Sequence, residues 1–564
     1  MTKMQRFLCI ALLLPTGVPA DTRTLSEQDF FMELPVALTA TRTQQPQIEA
    51  PATVTIIDRD WLEHSGARHV ADVLAMVPGF LVSHHNGNRR IVTYHGLGGQ
   101  FSRQIQVLVD GRSVYSPING GAQWADLPLS LDEIERIEVI RGPNSAAYGS
   151  NSFFAIVNIL TRHTAETQGT RFNARVGTEG IRDASIRHGG NRDDHLSYRL
   201  SLSHLEDDGF ADNHDGWTRH SVGLRLDQAL TGARALTLDT RLTRLDKGVD
   251  AADHPIVPSR DLRFDYGYLQ AVLEGHGEPG NGYRLQYYFD QYDLTDRYSL
   301  IGPASDSLLE VDQGGRNRRH DLELALYQQL TPDSRLVWGG GLRKDSSRSP
   351  YYFSNAIVVE NQIQRLFANL ELTPATQWLI NMGGMYEAND LIKDEFMPRA
   401  AVIFMPAPDL SFRLIASRAI RSPSLVEAEV DTIIPTLESL LTGEGGRLAI
   451  SDPSLRAEII NSVELGSHLQ FDHGKGSLDI RLFHNTLERL IQFPVEEVLV
   501  SPEDGISMVT NTGKLTLKGM EVHLDYRFSP RTRLSTGISL LDSHGHDPDA
   551  RTQADSIPKH VLNL

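Results

Sequence analysis

From about residue 170 to the last residue, apolar and polar side chains alternate one for one. Leu196, Tyr198, Leu200 and Leu202 stand against Ser197, Arg199, Ser201 and Ser203; Leu236, Leu238 and Leu242 against Thr237, Asp239 and Arg241. Further along, Leu478, Ile480 and Leu482 stand against Ser477, Asp479 and Arg481, and Met520, Val522, Leu524, Tyr526 and Phe528 against Glu521, His523, Asp525 and Arg527. A period of two gives each strand one greasy and one strongly polar face. Segments of about ten such residues, separated by Gly, Asp, Asn and Pro, match strands that cross a bilayer between lipid and a wet lumen. In lipid an open sheet edge leaves amides without partners, so such strands must close into a barrel. At about 20–25 residues per strand and connection, the segment supplies roughly 16–20 strands, wide enough for an aqueous bore unless something fills it. A soluble sandwich, propeller or solenoid also alternates, but the charges on the polar face and the lack of a repeat of about 20–50 residues weigh against it.

Residues 51 to 162 are organised differently, as a compact α/β unit. Thr53 to Ile57 predicts a strand, and residues 68 to 77 a short helix that Pro78-Gly79 stops. Gln104 to Val109 alternates into Asp110-Gly111, a pair that accepts two positive φ values and so predicts a hairpin. Ile134 to Ile140 predicts another strand, closed by Arg141-Gly142-Pro143.

The N-terminus sets the compartment. Lys3 and Arg6 precede an apolar run from Phe7 to Val18 and a small-residue end at Ala20, the pattern of a signal peptide over residues 1–20. The run spans about 18 Å, short of a hydrocarbon core of about 30 Å. The single cysteine, Cys9, leaves with that segment, which excludes disulfides, zinc-cysteine sites and thiol nucleophiles from the mature chain. With 54 Lys+Arg against 72 Asp+Glu and a net charge of −18, sequence-independent nucleic-acid binding is disfavoured as well.

Within this frame the stretch Leu34-Pro35-Val36-Ala37-Leu38-Thr39-Ala40-Thr41-Arg42 resembles the energy-coupling box of TonB-dependent outer-membrane receptors, the superfamily of ferric siderophore and cobalamin receptors. Val77-Pro78-Gly79, Val109-Asp110-Gly111, residues 134–143 and Tyr148-Gly149-Ser150-Asn151 resemble the receptor plug, in the family's order. Arg421-Ser422-Pro423-Ser424, Asp452-Pro453-Ser454-Leu455, Glu464-Leu465-Gly466 and Gly519-Met520-Glu521 resemble its barrel signatures. The resemblance covers essentially the whole mature chain. It implies an all-β transmembrane barrel of the 22-stranded type with an N-terminal α/β plug in its lumen. The resulting organisation is signal peptide 1–20, leader 21–50 with the box at 34–42, plug 51–163 and barrel 164–564. It also implies a monomer in the outer membrane of a Gram-negative bacterium, worked by a TonB protein and its proton-driven inner-membrane complex, with no resident cofactor. A short, extended-prone box after a polar leader suits strand addition to a partner's sheet edge.

Three departures from the family pattern matter. Tyr94-His95-Gly96 stands where relatives carry Ile-Arg-Gly. In relatives that arginine and the one matching Arg141 latch the plug to two barrel glutamates, here Glu464 and Glu521. With His95 in place, one latch cation titrates near pH 6.5, so docking is expected to weaken as pH rises. Ala155 replaces a usual glycine. Leu564 is not the terminal aromatic residue such barrels carry, so the chain is expected to be incomplete at its C-terminus by roughly four strands.

Substrate contacts are expected on apical plug loops: His84, His85, Asn86, Arg89 and Arg90 in one, Tyr115 and Trp124 in the other. Arginines suit an anionic iron chelate and aromatic rings its organic frame. The His84-His85 pair lacks a third ligand in sequence and does not predict a metal site. Residues 425 to 451 contain no histidine, which disfavours haem. Nucleophile-elbow, zinc-protease and phosphate-loop motifs are absent from the sequence, so the chain is not expected to be an enzyme. The expected cargo is a ferric siderophore or other iron complex, with a corrinoid as the alternative. A secreted carbohydrate-active enzyme is the competing class.

Overall fold

A computed structural model describes residues 36–37, 42, 45–99, 101–250, 258–277, 279–301, 308–434, 446–492 and 507–564. The range expected to be a signal peptide and most of the expected leader lie outside the described residues. Residues 45 to 161 build a plug around a five-stranded mixed sheet in the order Thr53–Ile57, Ile134–Arg141, Ala155–Thr161, Ile105–Val109, Arg112–Ser113. Asp110 (φ +49) and Gly111 (φ +82) make the two-residue turn between the last two strands, with Val109 opposite Arg112. The helix predicted over 68–77 is regular only over Val70–Leu74. Beyond it Met76 N–H bonds Val73 O and Val77 N–H bonds Leu74 O, a tighter i→i+3 turn forced by the approach to Pro78-Gly79. A separate hairpin, Phe80–Asn86 with Arg89–Tyr94, stands beside this sheet.

The alternating segment forms one antiparallel sheet of eighteen strands, running from Gly169–Val176 to His560–Asn563, each bonded to the next wall strand along the chain. Among the described residues eighteen wall strands stand where the resemblance implies twenty-two. Single pairs show the inside-outside rule at work: Leu242 is 63% exposed and its neighbour Arg241 7%; Leu366 is 65% exposed and Arg365 6%. Among the described residues no helix is long and apolar enough to cross a membrane. Some strands reach 18 residues, as in Val358–Ala375, beyond the roughly 9–11 that a tilted strand needs for the hydrocarbon layer.

Connections are short at one end, as between Leu230 and Arg234 or Thr331 and Ser334, and long at the other, as between Arg421 and Glu458. Short turns belong on the periplasmic side and long loops outside. Plug atoms meet the wall at Arg241, Arg319, Glu387, Arg413, Glu521 and Asn563 in turn, so the sheet wraps around the plug.

Candidate functional site

The plug and wall meet most densely at a buried charge cluster. Glu521, on Lys514–Ser529, accepts hydrogen bonds from Tyr94 Oη at 2.6 Å, His95 Nε2 at 2.7 Å and Arg141 Nη1 at 3.0 Å. Arg141 also reaches Asp479 at 3.3 Å, and Asp479 is gripped by Arg413, which donates to plug Thr53 Oγ1 at 3.1 Å. Glu464 lies apart from both plug cations. Its partner is Arg481 of the neighbouring wall strand, at 2.7 Å, and Arg481 in turn donates to Tyr94 Oη at 2.9 Å. Hence the expected two-cation, two-glutamate latch is in fact an alternation of three arginines (141, 413, 481) and three carboxylates (464, 479, 521).

Two motif glycines explain how the plug backbone comes so near. A Cβ at Gly79 would lie 2.7 Å from Glu521 Oε1, and one at Gly142 would lie 2.4 Å from Glu464 Oε1. Both glycines also sit at positive φ, +79° and +104°.

His95 differs from an arginine in more than charge. It is fully buried at φ +60, stacked between Tyr94 (3.8 Å) and Phe483 (5.1 Å). Burial lowers its affinity for a proton more than Glu521 raises it. Its Nδ1 has no partner among the described residues, so the neutral ring with a proton on Nε2 fits best. Three cations already match three anions, and a fourth positive charge would be uncompensated. The expected titration near pH 6.5 is thereby corrected in direction: burial holds the docked ring below its ordinary pKa.

A second tie lies across the lumen. Plug Glu133 accepts from Arg241 at 2.8 and 2.9 Å and from Ser201 Oγ at 2.5 Å. Burial alone would raise its pKa, but Arg241 and Arg199 bring it down to about 2.

Of the stretch expected to be the coupling box, Val36–Ala37 forms a two-residue strand on Gln45–Pro46. Leu34, Pro35, Leu38, Thr39 and Ala40 lie outside the described residues. Arg42, at the end of the box, donates to Ala147 O at 2.6 Å and to wall Glu323 at 2.5 and 3.3 Å, beneath the rings of Tyr148 and Phe367.

At the apex, His84 and His85 are exposed, and the covered part of the His84 ring, with Arg90 close by, keeps it below its ordinary pKa. Asn86 and Arg89 are half-buried. Arg90 turns back to Asp72 at 3.0 Å, and the hairpin tip is tied to the connection between strands Leu196–Asp207 and Trp217–Leu230 by Gly87 N–H to Asp215 at 2.7 Å. Tyr115 and Trp124 are not apical contacts. Trp124 is 2% exposed in the plug core; Tyr115 is 5% exposed, its hydroxyl on Arg103 O at 3.0 Å. Rings in a glycine-rich loop read as exposed in sequence because nothing local reports the loop folding inward. Two long external loops instead cover this plug segment: Leu425 N–H bonds Pro117 O, Val426 N–H bonds Ile118 O, and Ile118 packs with Leu425, Val426, Ile491 and Val509. Sequence reading passed over Tyr94, Arg413, Asp479 and Arg481. For the last two the signal was present, since both sit at luminal parity and Arg481 faces Glu521 in register.

Residues 46–156 match the model of the TonB-dependent receptor plug domain, and residues 149–564 that of the TonB-dependent receptor-like β-barrel. The chain belongs to the TonB-dependent receptor family. Such a receptor is not an enzyme, which removes the carbohydrate-active alternative. Among solved structures, the siderophore receptor PirA of Pseudomonas aeruginosa superposes with a TM-score of 0.69 at 18% identity, covering 87% of this chain and 85% of that one. A mutant of the ferric enterobactin receptor PfeA of the same species gives 0.71 at 16% identity, covering 90% and 82%. By sequence, the vitamin B12 transporter BtuB of Vibrio vulnificus is 33% identical over 151 residues, 27% of this chain. BtuB of Vibrio cholerae is 29% identical over 202 residues, covering 35% of this chain and 32% of that one. The first of these BtuB alignments spans 24% of the relative's own length.

Proposed function

We propose that this receptor imports a scarce nutrient across the outer membrane of a Gram-negative bacterium by TonB-dependent active transport. The observation that carries this reading is an occluded lumen. A wall greasy outside and charged inside surrounds a plug bonded to it through Glu521, Asp479 and Glu133, with leader residue Arg42 bonded to wall Glu323. Passive diffusion would have to break buried charge-assisted bonds, each worth about 1.5–3 kcal/mol, so passage needs work from outside the receptor. The box beside Arg42 is the place to apply it, by strand pairing with a TonB protein that draws on the inner-membrane proton gradient. Deleting Leu34 to Ala40 is expected to abolish uptake while leaving surface binding intact; retained uptake refutes the coupling role.

An iron chelate such as a ferric siderophore is the favoured cargo, because guanidinium and aromatic groups line the lumen beside the plug. The local similarity to proteins named vitamin B12 transporters supports a second reading, a corrinoid. Growth of a deletion strain on single iron sources or on cobalamin separates them: loss on one chelate alone supports the first reading, and loss on cobalamin alone the second.

A further inference from the structure

We infer that the way through the lumen follows the tyrosine-bearing wall strands Arg260–His276 and Gly282–Thr295, and that plug residue Arg112 bars it at mid-depth. The inference rests on the import reading and names where the passage opens and what holds it shut. A concavity of about 950 Å³ beside these strands gives no such path, because Leu202, Val222, Leu242 and Leu269 place it on the outer face that acyl chains cover.

Two cavities lie between the plug and these strands, one above the other. The upper, about 80 Å³, is lined by Tyr266, Tyr292, Asn317 and plug Tyr115. The lower, about 320 Å³, is lined by Gln286, Tyr288, Asp321 and plug Gln106. Ser113 of the plug borders both. Strand register shows how little separates them. Tyr266, Tyr292 and Asn317 form one cross-strand row, and Gln270, Tyr288 and Asp321 another. One row stands between, Tyr268, Asp290 and Arg319. Rows two residues apart are about 6.8 Å from each other, so a single layer of side chains closes the route.

Two arginines make that layer tight. Arg112 crosses from the plug, donating to Tyr266 Oη at 2.6 Å and lying 3.7 Å over the Tyr268 ring. Arg319 crosses from the wall to Tyr115 O at 2.8 Å. The Arg112 strand is two residues long and at the edge of the plug sheet, bonded only to Ile105–Val109, so it can swing without breaking the sheet's centre. The path is also chemically prepared. Asn317 is 4% exposed and its Oδ1, at the upper cavity, finds no partner among the described residues, as does Arg112 Nε. Unpaired buried acceptors and donors beside tyrosine rings suit a planar, hydrogen-bonding solute.

The test compares leakage with import. Cells producing the full chain with Arg112→Ala are challenged with antibiotics too large for porins. Loss of one charge-assisted bond should raise their sensitivity roughly tenfold over the parent, while Ser201→Ala, which removes one hydrogen bond from the Glu133 tie, should not. Unchanged sensitivity in Arg112→Ala, or equal sensitivity in both, overturns the inference. To guard against misfolding, each variant is extracted and its plug checked for parental protease protection, with Tyr266→Phe as a milder second variant that should leak in the same direction. In a second arm, thiols at Gly111 and Gln286, where a Cβ on Gly111 lies 2.9 Å from Gln286 Oε1, are joined by a short bifunctional reagent. Thiols at Pro78 and Gly537, whose Cβ positions are 3.0 Å apart, are joined as the comparison. The first link should stop import and the second spare it; the reverse refutes the route. Leakage needs no substrate, so failure of the import reading leaves the first arm decisive.

Discussion

The plug is held to two walls of its lumen by different physics. On the side of Glu464, Asp479 and Glu521, charges interlock with almost no exposure, and the plug backbone approaches through two glycines that leave no room for a side chain. On the side of Tyr266 and Tyr288, single arginines bridge across residual cavities, with polar atoms left unpaired. Removing one partner of a buried, complemented charge cluster leaves the others uncompensated, whereas removing a bridge over a cavity only enlarges it. The first wall is therefore built to anchor and the second to yield.

The largest expected effect is on the anchoring side. Arg141→Ala strips Glu521 and Asp479 of a shared cation and should cost about 3–5 kcal/mol of plug docking. Urea-dependent proteolysis of the plug reads it, and a loss below about 1 kcal/mol would erase the contrast between the walls. Arg42→Ala comes next. It frees Glu323 and should cost about 1.5–3 kcal/mol, seen as faster cleavage of the leader with the plug core still protected. On the yielding side Tyr266→Phe removes one hydroxyl and should change docking by only about 0.5–1.5 kcal/mol; a larger loss would make this wall an anchor too.

The smallest effect is that of pH, and its sign reverses the sequence expectation. Docking holds His95 below its free pKa of about 6.5, so the undocked ring binds more protons. Stability from this group is then complete above about pH 6.5 and falls as pH drops below it. Protease protection should stay level from pH 7 to 8 and decline toward pH 5, and His95→Asn should flatten that slope. A decline on raising pH through 6.5 would restore the charged-histidine view.

Much of this architecture was legible because strands report their faces through parity. Arg241, Asp479, Arg481 and Glu521 all point inward as alternation demands, and Asp110-Gly111 turns where its φ tolerance allows. The family motifs located the cluster but not its wiring. Whether Glu464 meets Arg141 or Arg481 depends on strand register between distant segments, which no local pattern encodes. Tyr115 and Trp124 misled for a related reason: an aromatic residue in a loop has the same sequence context whether the loop faces solvent or folds into a core.

The short pairing of Val36–Ala37 with Gln45–Pro46 has a mechanical consequence. Proline carries no amide hydrogen, so at Val36 opposite Pro46 this resting zipper lacks a tooth and cannot grow past it. A longer, fully toothed edge offered by another protein would win the segment at little cost, and tension would then arrive first at Arg42, a few residues downstream.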